Sequence, residues 1–317
     1  MEFIEHNSPH IRRSRTTRRC MQHVMIALLP ATLCAFYYFG LPAVLLTLTC
    51  IASCCLAEWG IAVWLFGDVR RFSPWAAALT GWLLALNLPS SLPLWIAVIG
   101  SIFAIGIGKM AFGGLGCNIF NPALVGRVFL LISFPVAMTT WPLAGNGFHA
   151  DGATGATILS ILKQGALADG SYSYTDMIAG NMGGSMGEVA SVAIIIGLVY
   201  LLALRVISWH IPVSIIATVA LFDLCIGTAP LVDILSGGLL FGSIFMATDY
   251  VTSPMTHKGM LVYGVAIALI TVIIRRWGAY PEGMSFAILI MNGFTPLINR
   301  YTRPARFGAS KERRAAA

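Results

Sequence analysis

Charge is what this sequence has least of. Only 10% of its 317 residues are Asp, Glu, Lys or Arg, and 57% are hydrophobic, where a soluble domain carries roughly a quarter charged residues. That scarcity excludes a soluble globular chain and indicates an all-α integral membrane protein, since a hydrocarbon core about 30 Å thick takes about 20 apolar residues per helical crossing. A chain of this length holds about ten crossings and no sizeable soluble domain. Usable cysteine chemistry is also missing. Cys20, Cys34, Cys50, Cys54, Cys55, Cys117 and Cys225 are odd in number and form no C-x-x-C pair, so they read as small apolar packing residues rather than ligands of a metal or iron–sulfur cluster. No zinc or serine-hydrolase constellation is present. A phosphate loop is lacking as well: Gly106-Ile-Gly108-Lys109 has Phe103 where the motif needs Gly and Met110 where it needs Ser or Thr. Neither catalytic residues nor metal ligands are expected. The formal charge of +7 is distributed by loop rather than gathered on one domain, which argues for membrane topology and against nucleic acid as a partner.

The apolar runs are what the chain does have. Arg12, Arg13, Arg15, Arg18 and Arg19 precede a run from Met21 to Gly40, too long for a signal-peptide core and without a small-residue cleavage site, so it is expected to be an uncleaved first helix. Expected spans are 21–39, 42–66, 74–88, 94–112, 122–139, 186–206, 211–227, 231–248, 259–275 and 283–298. Besides the N-terminal arginines, one side collects Arg70, Arg71, Lys109, Arg205, Lys258, Arg300, Arg303, Arg306, Lys311, Arg313 and Arg314, while the other holds Lys163, Arg275 and Arg276. The positive-inside rule then puts both termini in the cytoplasm. The expected organisation is a cytoplasmic segment (1–20), a first transmembrane half (21–139), an extracytoplasmic segment (140–185), a second half (186–298) and a basic cytoplasmic tail (299–317). Arg275 and Arg276 sit on the outer side either as snorkelling helix-end cations or to meet a phosphate or an acidic partner.

Three stretches interrupt the apolar pattern: Asn87 to Pro93, Gly113 to Pro122 and Met246 to Pro254. Polar residues with a proline between apolar runs read either as ordinary loops or as the broken or re-entrant segments that build sites inside membranes. Glu58, Arg127, Glu188, Asp223 and Asp249 lie within or beside spans, where an ionisable group is expensive and a functional candidate by default. For Glu58 and Asp223 the plainer reading is a polar residue hydrogen-bonded between helices. The longest polar interval contains Asp151-Gly-Ala-Thr154-Gly-Ala-Thr157, followed by Ile158-Leu-Ser-Ile-Leu. By residue type alone this is a helix start. It also presents a threonine hydroxyl with only Gly155 and Ala156 before it.

Several of these pieces occur in a characteristic order: Ser8-Pro-His10, Ala27-Leu-Leu-Pro30, Gly113 to Pro122 running on to Arg127, Asp151 to Thr157, Gly184 to Glu188, Ala247-Thr-Asp249 to Thr256, and Tyr280-Pro-Glu-Gly283. In this the chain resembles the membrane flavoprotein family that contains RnfD of the Rnf electron-transport complex and its counterpart in the sodium-pumping NADH:quinone oxidoreductase. In that family D-x-x-(S/T)-G-A-(T/S) is the acceptor motif of a flavin transferase, which joins FMN through its phosphate to the final hydroxyl residue. Position by position, the resemblance makes Asp151 the leading acid, Thr154 the first hydroxyl and Thr157 the acceptor on the extracytoplasmic side. It further implies a bundle resembling urea transporters and a second, non-covalent flavin such as riboflavin. Asn118, Asn121, Asp249 and Thr252 are the expected second site, since the broken segments cluster hydrogen-bonding groups at depth. With Ser8-Pro-His10 so near the start, the Rnf protein is favoured over its quinone-reducing counterpart. The implied role is a redox subunit of a complex in the bacterial inner membrane that couples ferredoxin and NAD to sodium or proton movement. Its implied partners are the other Rnf subunits, among them a second FMN-bearing subunit and iron–sulfur subunits, with the transferase for maturation and membrane lipid around it. On the residues alone, a solute channel or permease remains the alternative, because broken helices around a central site are equally a transporter's design.

Overall fold

The computed structural model describes residues 16–143, 154–155, 157–163, 174–180, 183–278 and 282–304. Its described part is mostly helical. α1 (Thr17–Trp64) is followed by α2 (Pro74–Leu86), α3 (Leu94–Gly106), α4 (Pro122–Ser133) and α5 (Pro135–Thr139). A two-residue antiparallel pair, β1 (Trp141–Pro142) with β2 (Thr154–Gly155), leads to the short helices α6 (Ile158–Lys163) and α7 (Tyr174–Ala179). The second half contains α8 (Ser191–Ala203), α9 (His210–Ile226), α10 (Pro230–Leu235), α11 (Leu239–Phe241), α12 (His257–Trp277) and α13 (Met284–Tyr301).

The helix ends follow from local chemistry. α2 and α4 carry Pro at their first position, where the missing N–H costs nothing. Asn121 caps α4 by accepting from the amide of Ala123 at 3.1 Å, and Thr256 caps α12 by accepting from that of Gly259 at 3.1 Å. Gly227 ends α9 in the left-handed conformation. Small residues let helices meet closely: a Cβ on Gly81 would stand 2.5 Å from the Cys50 carbonyl oxygen, and one on Gly126 would stand 2.8 Å from the Ala104 Cβ.

Three described helical stretches, Thr17–Trp64, Leu94–Phe112 and His257–Trp277, are long and apolar enough to cross a membrane. Leu33, Leu41, Leu48 and Leu56 on α1, and Val192, Ile196 and Val199 on α8, project outward, the apolar shell of a multi-pass membrane protein. The expected break between spans 21–39 and 42–66 is present: Gly40 within α1 is non-helical (φ 65, ψ −147), so Thr17–Trp64 is two helical stretches meeting at that residue. The helices depart from the expected spans in two places. Span 122–139 divides into α4 and α5 at Phe134 and Pro135. Span 231–248 is not a continuous helix: Gly237 and Gly238, both at positive φ, separate α10 from α11, and a π-helical turn, Gly242–Met246, follows. α2, α4 and α8 have 13, 12 and 13 residues; at 1.5 Å per residue such helices span roughly 20 Å, less than a full hydrocarbon core.

Candidate functional sites

All three interrupted stretches meet at Met246, whose sulfur accepts from Asn87 Nδ2 at 3.7 Å. The Nδ2 of Asn121, just before α4, donates to the Met246 carbonyl at the end of the π-helical turn, at 3.3 Å, while its Oδ1 caps α4. Asn118 and Asn121 from one stretch and Asp249 from another line a single cavity of about 170 Å³, together with Lys109, Thr248 and Phe245. Thr252 is not on its wall. It stands behind Asp249, donating to Oδ2 at 3.2 Å, and its own carbonyl accepts from Thr295 Oγ1 at 2.8 Å. The remaining wall is largely aliphatic, with Leu79, Leu83 and Ile244 among its residues. A flat apolar ring with a polar edge is the kind of ligand such a wall favours. The π-turn sets this geometry, since it shifts register immediately before Ala247-Thr248-Asp249.

Lys109 and Glu58 form a buried ion pair beside this cavity, at 2.5 Å. Glu58 also accepts the amide of Ser73 at 3.0 Å, so one carboxylate ties α1 to the start of α2 and to the segment that follows α3. This is the plainer of its two readings.

Thr157 lies at the head of α6. Its Oγ1 accepts from the Ser160 amide at 3.2 Å, and Ser160 Oγ donates back to the Thr157 carbonyl at 2.7 Å, so it occupies the capping position its residue type suggests. Asp151 lies outside the described residues. Thr154 is in β2, opposite Pro142. Thr157 is only 7% exposed. Its side faces a small, partly open cleft of about 10 Å³, lined also by Leu159, Glu188, Ser236, Gly237 and Glu282, which is room for about one water.

Beneath that cleft runs a buried ionic network. Arg127 donates through Nη1 to Asn87 Oδ1 at 2.9 Å and to Ser285 Oγ at 2.8 Å; its Nη2 pairs with Glu282 and lies 3.8 Å from Glu188 Oε1. Arg275 donates to the carbonyls of Asp233 (2.6 Å), Ser236 (3.1 Å) and Gly237 (3.1 Å). Arg276 pairs with Asp233 and, at 3.2 Å, with Asp223. The two arginines therefore turn inward to carboxylates of α9 and α10, and neither serves as a snorkelling end. Asp233 and Glu282 were not singled out by sequence reasoning. The signal was present, because Asp233 falls inside the expected span 231–248 and Glu282 borders the span 283–298.

A profile described as the NQR2, RnfD, RnfE family matches residues 4–308. The chain is 45% identical over 311 residues to a subunit of the Na(+)-translocating ferredoxin:NAD(+) oxidoreductase complex of Acetobacterium woodii, covering 96% of this chain and 95% of that protein. It is 42% identical to a subunit of the ion-translocating oxidoreductase complex of Stutzerimonas stutzeri, with 92% of each chain covered. With a subunit of the proton-translocating ferredoxin:NAD(+) oxidoreductase complex of Clostridium ljungdahlii it shares 38% identity over 98% of this chain and 97% of the relative. All three relatives carry the letter D in the naming of their complexes. Such matches leave almost no part of the sequence unaccounted for, and the chain belongs to the NQR2, RnfD, RnfE family.

Proposed function

We propose that this chain is a redox subunit of an ion-translocating ferredoxin:NAD oxidoreductase complex in the bacterial inner membrane, carrying FMN as a phosphoester on Thr157. The observation that carries the reading is the complete acceptor pattern, Asp151, Thr154, Gly155, Ala156 and Thr157, in a chain whose relatives of similar length are subunits of such complexes. The chemistry of the acceptor is compatible. Thr157 Oγ1 is used as an acceptor, from the Ser160 amide, and a phosphoester keeps that oxygen while replacing only the hydroxyl proton. The cleft next to it has no room for a flavin ring, so the ring belongs outside the cleft. A threonine phosphoester leaves the isoalloxazine unaltered, and bound FMN supplies the electron transfer that side chains cannot.

The cavity of Asn118, Asn121 and Asp249 is the proposed place of a second, non-covalent flavin of the riboflavin type. Asn118 donates to the Phe120 carbonyl at 3.0 Å and Asn121 to that of Met246, which holds both amides at the wall; Thr252 fixes the Asp249 carboxylate. The other subunits of the complex, including iron–sulfur subunits and a second FMN-bearing subunit, supply the remaining redox steps, and a flavin transferase supplies the attachment. Thr157 and the surrounding 140–185 segment lie on the extracytoplasmic side, with both termini in the cytoplasm.

The test is a denaturing gel of the chain co-expressed with its flavin transferase. The wild-type band fluoresces as flavin and the Thr157→Ala band does not. A dark wild-type band, or equal fluorescence in the variant, rejects the acceptor assignment.

A further inference from the structure

The cleft beside Thr157 contains an arrangement that flavin attachment does not explain. Two carboxylates, Glu188 from the segment before α8 and Glu282 from the segment before α13, line it and converge on the same nitrogen, Nη2 of Arg127. Glu188 Oε1 receives no hydrogen bond from the described residues, although its side chain is only 6% exposed. Its nearest guanidinium nitrogen, Arg127 Nη2 at 3.8 Å, is beyond hydrogen-bond reach, so a charged oxygen there is poorly compensated. Something further has to balance it.

The charge of the surrounding network indicates what. Four carboxylates, Glu188, Glu282, Asp223 and Asp233, face three guanidiniums, Arg127, Arg275 and Arg276. One negative charge is in excess among these described groups. Lys163 does not offset it, being exposed and donating to the Gly278 carbonyl. Asp223 and Asp233 are engaged by Arg276, and Asp233 also by Arg275, while among the described residues the guanidinium within 4 Å of both Glu188 and Glu282 is that of Arg127, with Arg275 acting on them from farther away. Two carboxylates at one cation cannot both ionise cheaply, and the pair lowers its energy by keeping one proton. A metal ion is disfavoured here, because the Arg127 guanidinium pairs with both carboxylates and that of Arg275 donates to the Gly237 carbonyl at the cleft wall.

We propose that Glu282 holds an exchangeable proton, in the cleft that also receives the Thr157 side chain, and that the Glu188 carboxylate facing the same guanidinium nitrogen helps retain it. Deprotonation leaves two carboxylates and delivers the proton to water. Burial, with the neighbouring Glu188 carboxylate adding to it, pushes the Glu282 carboxyl up to about 7 against the pull of Arg127 and Arg275, so it is protonated below neutrality and loses its proton above. The pair stands whether or not Thr157 carries a flavin. Where the preceding reading holds, negative charge arriving near Thr157 raises the pair's affinity for its proton by Coulomb attraction, which gives an ion-translocating complex a protonatable group close to a redox centre.

The experiment is infrared difference spectroscopy of the full-length chain in nanodiscs, stepped in pH in H2O and D2O. Wild type should show a deuterium-sensitive protonated-carboxyl component half lost near pH 7. Glu282→Gln should lack it, and Glu188→Gln should move the half-loss to lower pH because the neighbouring negative charge is gone. Thr157→Ala should retain the band, which separates this result from failure of flavin attachment; loss of the band in that variant would tie it to the flavin and overturn the assignment. A band unchanged in both Glu variants overturns it too. So does a wild-type band removed by sodium chloride but not choline chloride at fixed pH, since the site would then take sodium in place of a proton.

Discussion

Replacing Glu58 by Gln tests whether the ion pair beside the large cavity is truly desolvated. Glu58 is fully buried and Lys109 is 3% exposed, with their charged atoms 2.5 Å apart. Removing one partner leaves a buried, uncompensated ammonium, which costs about 3–5 kcal/mol in comparable cases, whereas replacing both partners by apolar groups of similar volume is often close to neutral. Lys109 also borders the cavity, where water offers partial relief, and this places the expected loss near the lower end, about 3 kcal/mol. That corresponds to roughly a hundredfold change in the unfolding equilibrium. A second contribution follows from the Ser73 amide, which donates to the same carboxylate; Gln retains an acceptor oxygen there, so the measured loss isolates the charge. The assay is reversible unfolding in mixed micelles, followed by helicity, for Glu58→Gln, Lys109→Met and the Glu58→Met/Lys109→Met double variant. The double variant should be more stable than either single one, with a coupling of at least about 2 kcal/mol. A loss below about 1 kcal/mol in Glu58→Gln, of the size found for solvated surface pairs, would refute the reasoning.

The same logic extends to the cavity and to topology. In a Thr157→Ala background, flavin released by acid from the purified chain reports the non-covalent site, and Asn121→Ala should lower it at least severalfold, since that residue both lines the wall and joins the two broken segments; undiminished flavin would move the site elsewhere. Tags inserted after Gly145 and after Ala317 should report opposite sides of the membrane by impermeant labelling, and two cytoplasmic signals would overturn the arrangement read from the arginines and lysines.

What the sequence disclosed, and what it withheld, divides along the range of the interactions involved. Asn121-Pro122 and Thr256 could be read as helix starts because a cap is decided within three residues, and the polar stretches around Asn118 and Asp249 could be singled out because lipid does not tolerate bare backbone. The helix breaks inside apolar runs were hidden for the opposite reason. From Leu231 to Met246 the side chains are mostly apolar, and it is the backbone at Gly237 and Gly238, in the left-handed region, that ends α10. A count of hydrophobic residues takes no account of φ. Pairing was hidden in another way. Arg127 meets Glu282 across 155 residues, and Arg275 meets Asp233 across 42, so neither partnership leaves any spacing rule in the chain. Yet each charge, placed in an apolar environment, already implied that a counter-charge existed. Among the described groups of this network carboxylates outnumber guanidiniums by one, a balance that one proton restores, and two of its buried oxygens, Glu188 Oε1 and Asp223 Oδ2, receive no hydrogen bond from the described residues; Glu282→Gln decides whether the proton is held in the cleft.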